Sequence, residues 1–164
     1  MSLQNRVMAA AKKVTKEKQT AHHCWDAIAR IYAAAGFYDK SASNRKFFQY
    51  ITSPFNFHKK KDSIWGPYGQ PSQAMIPEDM YGTLQLGDWL YVHNRNTLDN
   101  YGNHSALFMG WKDKERRIIH SAECLNGGKP IKLYDNRSLH KAPVVGILRP
   151  RPGTIVQEFD YKYK

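Results

Sequence analysis

Two cysteines and seven histidines carry the most reactive side chains of this chain. Cys24 is the better placed thiol. It falls in the first turn of a helix expected over residues 20–36, where Cys24, Ile28, Ile31, Tyr32 and Ala35 recur at helical spacing as one apolar face. Thr20 offers a hydroxyl to the free amides of the first turn, and Gly36 stands where a left-handed residue ends a helix. Asp26 and Arg30, four apart, can pair on another face. The positive end of the helix dipole favours thiolate over thiol, so this is a position for a nucleophile. The same residues, taken alone, fit a small buried core cysteine better, since free cysteine is among the most buried residue types. Cys124 lies between a strand and the Gly127-Gly128 turn and reads as structural. His22, His23, Cys24 and Cys124 could compose a zinc site but lack the spacing of one, so no metal or cofactor is expected.

The frame for these groups is read from periodicity. Residues 3–18 form an amphipathic helix with an apolar stripe of Leu3, Val7, Ala11 and Val14, edged by Lys12, Lys13, Lys16 and Lys18. A short helix is expected around residues 44–51. From residue 56 to 83 the chain has loop chemistry, with Lys59-Lys60-Lys61, Gly66-Pro67 and prolines at 71 and 77. Trp65, Tyr68 and Tyr81 there could line a substrate groove or pack the loop onto the body. Strands follow at 89–93, 104–111, 116–122, 131–134 and 144–148. The apolar run His104 to Trp111 suits a central strand covered on both faces. Helices first and an antiparallel sheet after them make the fold class α+β.

The chain has 164 residues, four Trp, ten Tyr and seven Phe, which is enough for one domain with a real core. No stretch is long and apolar enough to span a membrane, and residues 1–20 hold no secretory signal. Two cysteines do not make a disulfide framework. The net charge of +11 points to an anionic partner, such as a wall polymer, a membrane surface or nucleic acid.

Four pieces in order carry a resemblance. They are His23-Cys24-Trp25 leading the helix to Gly36, then Gly87-Asp88 entering the strand Trp89 to Val92, then the strand opened by His104, then Ile118 to Ala122 with His120. This set resembles the NlpC-type papain-like cell-wall peptidases, with the CHAP-type amidases as close relatives, over residues 20–36 and 84–148. The resemblance implies a papain-like fold, with the catalytic cysteine at a helix N-terminus packed on a central antiparallel sheet. It implies a single hydrolase domain over residues 1–164, with 40–83 as an atypical insertion. His23 and Trp25 stand where the family usually has Asp and Ser, and Leu86 where it often has Pro. The implied chemistry is acyl transfer: Cys24 attacks an amide carbon, His104 protonates the leaving amine, and a third group orients the imidazole.

The third group depends on register. A regular turn of two or four residues at 112–115 sets His104 opposite Glu123. An odd loop or a bulge brings His120 to the same face instead. The resemblance favours His120, with Glu123 as the alternative. Gln19 is a weaker candidate for an oxyanion-hole amide. The expected site is therefore Cys24, His104 and His120, with Trp25, Trp65 and Tyr68 as aromatic contacts to substrate. The expected function is a cysteine hydrolase of peptidoglycan peptide, as a toxin-like effector, with an inhibitor or immunity protein as a partner, or as a lysis enzyme. The location is undetermined; synthesis in the cytoplasm and specialised export fit the absent signal. One rival is the same site acting on a lipid or protein amide, ester or thioester. Another is a non-catalytic basic module for an anionic polymer or, with less support, nucleic acid.

Overall fold

In a computed structural model, the structure describes residues 2–36, 63–64, 78–93 and 103–148. Two helices, α1 (Leu3–Lys16) and α2 (Cys24–Ala34), precede a mixed-length antiparallel sheet. Its strands are β1 (Ser63–Ile64), β2 (Trp89–His93), β3 (Asn103–Asp113), β4 (Ile118–Glu123), β5 (Lys132–Ser138) and β6 (Val144–Leu148). Their order is β1-β6-β2-β3-β4-β5, every neighbouring pair antiparallel. The architecture is α+β. β1 and a 3-10 helix at Glu78–Thr83 lie inside the stretch expected as loop. The helix expected at 44–51 and the Lys59-Lys60-Lys61 run lie outside the described residues.

Both faces of the inner strands are buried, as the apolar run in β3 requires. Leu107 and Trp89 join a core with Val7, Ala11 and Val14 of α1 and Ile28, Ile31 and Tyr32 of α2. Phe108 and Leu90 join a second core with Tyr81, Ile119, Val144 and Ile147. Successive side chains of a strand serve opposite faces, which is why neighbours such as Leu107 and Phe108 divide between the two cores. Ser2 caps α1 by accepting the Asn5 amide at 3.1 Å.

α2 begins at Cys24 rather than at Thr20, and its cap is His23, which makes no side-chain capping bond. Thr20 is instead drawn into an antiparallel bridge with Pro130. Ala21 donates to the Lys129 carbonyl and Ile131 to that of Gln19. Backbone pairing to the sheet edge thus takes residues that helical propensity alone would leave in the first turn. The other end follows expectation: Gly36 has φ 90°, the left-handed conformation that glycine adopts without steric cost.

The Gly87-Asp88 turn fixes β2 against the helices. Gly87 has φ 88°, and a Cβ there would lie 3.0 Å from that of Val7. Its carbonyl accepts the Tyr32 hydroxyl at 2.8 Å. Buried Asp88 accepts the Gln85 amide at 2.8 Å, closing the turn.

Candidate active site

Cys24 opens α2, so its side chain stands at the positive end of that helix. The sulfur is hydrogen-bonded to the ring of His104, the second residue of β3. The backbone amides of Ser105 and Trp25 add to the lowering of its pKa. Burial pushes the Cys24 thiol up. The hydrogen bond and charge of His104, with the two amides, outweigh burial and hold it below its ordinary value.

The other side of the imidazole is held by Glu123, at the end of β4. His104 Nε2 lies 2.6 Å from Glu123 Oε1, which leaves Nδ1 for the sulfur. Burial acts to lower the His104 pKa, but hydrogen bonds to Cys24 and Glu123 and their negative charges raise it to about 9. Glu123 is only 1 % exposed. Burial acts to raise its pKa; His104 and Arg137 reverse this and bring it down to about 2. The Glu123 carboxylate also accepts from Ser121 Oγ at Oε2, from Arg137 Nε at Oε2 at 3.0 Å, and from Arg137 Nη2 at Oε1. The resulting line runs Cys24, His104, Glu123, with Arg137 and Ser121 behind it.

Register explains why Glu123, and not His120, meets His104. Phe108 pairs with Ser121, Trp111 with Ile119 and Asp113 with Ile118. β3 therefore carries one extra residue between Phe108 and Trp111, and a second between Trp111 and Asp113. One bulge exchanges the faces of a strand; two return them. Two irregularities thus act like a regular hairpin: Glu123 shares a side with His104, and His120 points the other way. His120 is exposed and makes no contact with Cys24, His104 or Glu123. The side chain that meets the His104 ring is thus Glu123, the alternative in the sequence, and not the expected His120.

The remaining expected residues divide. Trp25 is half-buried, packs against the core around α2 and stacks on His23 with ring centroids 5.6 Å apart. Trp65 and Tyr68 lie outside the described residues. The Gln19 amide donates to Glu17 at 2.7 Å, which turns it from an oxyanion role to a surface contact. Cys124 is buried, its thiol directed at the Asn126 carbonyl at 3.1 Å, and burial pushes its pKa up. Both cysteines are free thiols. Asp26 pairs with Arg30 at 3.1 Å, as their spacing predicts, and accepts the His22 amide.

Arg137 and Ser121 escaped the sequence reading. The strand expected at 131–134 runs from Lys132 to Ser138. The run Asp135-Asn136-Arg137-Ser138 has turn composition, but β5 is an outer strand and tolerates polar residues. A strand continued past Tyr134 is the signal that would have brought Arg137 beside β4.

No protein-family model matches the chain, and neither a curated protein nor a solved structure matches it.

Proposed function

We propose that the chain is a papain-like cysteine hydrolase, of the kind its NlpC-type resemblance implies, that cleaves an amide bond in peptidoglycan peptide. The observation that carries the reading is the line from the Cys24 sulfur through His104 to buried Glu123. A thiol held below its ordinary value beside an imidazole held above its own favours transfer of the thiol proton to the ring. The thiolate attacks the acyl carbon and forms a tetrahedral intermediate. The imidazolium gives its Nδ1 proton to the departing amine, the C–N bond breaks, and a thioester remains on Cys24. Neutral His104 then takes a proton from water, which attacks the thioester and frees the carboxylic acid and the thiolate. The positive N-terminus of α2, whose cap His23 makes no side-chain bond, favours developing negative charge beside Cys24. The excess of 25 Lys and Arg over 14 Asp and Glu supports an anionic polymer as substrate.

Incubation with purified sacculi, followed by separation of released muropeptides, tests the reading. Expected is a new free amine and carboxyl end with the native chain and none with Cys24→Ala or His104→Ala. Release that survives either substitution contradicts it. Acyl-lipid substrates run in parallel distinguish the amide-cleaving reading from the same pair acting on lipid.

A further inference from the structure

We propose that Arg137 is a positioning residue of this site: its guanidinium fork fixes the Glu123 carboxylate in the one orientation that holds the His104 ring toward Cys24. The inference rests on the hydrolase reading and extends it to the group behind the carboxylate. Glu123 is buried and takes donors on both oxygens. Arg137 contacts both, through Nε at 3.0 Å to Oε2 and through Nη2 to Oε1, the fork-to-carboxylate geometry that a lysine cannot reproduce.

β5 is built to deliver this side chain. Ser121 pairs with Tyr134 and Ile119 with Arg137, so β5 holds one extra residue between Tyr134 and Arg137. A bulge re-aims the side chains beyond it. Here it turns Arg137 to the side shared by Ile119, Ser121 and Glu123. The Arg137 side chain is 23 % exposed while that of Glu123 is 1 % exposed, so the pair sits at the edge of the interior with its cation on the outer side. A buried carboxylate with only His104 and Ser121 as donors would have two poorly held oxygens, free to rotate away or take up a proton. Charge and positioning make opposite predictions for His104. As a bare cation, Arg137 opposes protonation of the nearby imidazole, so its removal raises the His104 titration midpoint. As the clamp on Glu123, its removal loosens the carboxylate that stabilises the imidazolium, so the midpoint falls.

The test is an NMR titration of the His104 ring in the wild type, Arg137→Met, Arg137→Lys and Glu123→Gln, with folding checked by thermal unfolding. The wild-type midpoint tests the underlying reading: about 9 is expected, and an ordinary value near 6.5 removes the Cys24–His104–Glu123 line itself. Given a raised wild-type midpoint, both Arg137 variants are expected to titrate roughly one pH unit lower, with Glu123→Gln lower still. A lowered midpoint in Arg137→Lys, which keeps the charge and loses the fork, supports positioning even if Arg137→Met is too unstable to titrate. Midpoints unchanged in the folded Arg137 variants, or raised in Arg137→Met, overturn the inference and leave the hydrolase reading standing.

Discussion

Glu123 accepts hydrogen bonds from three side chains, while His120, three residues earlier, is exposed and joins none of them. Their substitutions should differ accordingly. Glu123→Gln removes the charge that stabilises the imidazolium, and hydrolysis should fall roughly 100-fold or more, the range seen when an orienting or general-acid group is lost. His120→Ala should stay within about twofold of wild type, as expected of a surface substitution away from the chemistry. Equal losses from both would contradict the assignment of Glu123. Steady-state rates on the same released muropeptide decide between these outcomes.

At the scale of elements, turns and bulges set the site. Gly87 combines φ 88° with a 3.0 Å approach to Val7, so Gly87→Ala meets both backbone strain and a clash. A loss of about 1–3 kcal/mol in urea unfolding is expected; an unchanged midpoint would show that the turn can move without disturbing α1. Much at this scale was legible in the sequence. The α2 stripe, the Asp26–Arg30 pair, Gly36 and the doubly covered β3 follow from local periodicity and turn chemistry. The start of α2 was not, because Thr20 pairs with Pro130, 110 residues away in the chain. The orienting group was not fixed either. Parity in a hairpin depends on counting extra residues, and the two in β3 have no Gly-Asp turn or proline to announce both. Gly110 lies at the first, with φ 114°.

At the scale of the whole molecule, half-buried His104 and buried Glu123 tie stability to pH. The Glu123 pKa is lowered from 4.5 to about 2, so its contribution is complete above 4.5 and lost as pH falls through 2. The His104 pKa is raised from 6.5 to about 9, so its contribution is complete below 6.5 and lost as pH rises through 9. Thermal unfolding across pH should therefore show an alkaline decline between these values that is reduced in His104→Ala. A decline of the same size in that variant would assign it to other groups. The +11 charge makes a separate prediction. Retention on sacculi by the Cys24→Ala protein should weaken steeply as salt rises from about 50 to about 200 mM, because exposed charges are screened within roughly 10 Å at about 0.1 M salt. Salt-independent retention would remove charge as the basis of substrate choice.

Whether His104 activates the Cys24 thiol is read from the rate of alkylation by iodoacetamide across pH, followed separately at Cys24 and Cys124 by mass spectrometry. Cys124 is buried with its pKa pushed up and serves as the internal reference. Expected is rapid labelling of Cys24 that persists below neutral pH in the wild type and retreats to alkaline pH in His104→Ala, with Cys124 slow throughout. Labelling of Cys24 no faster than that of Cys124, or a Cys24 profile identical in the two proteins, would contradict it.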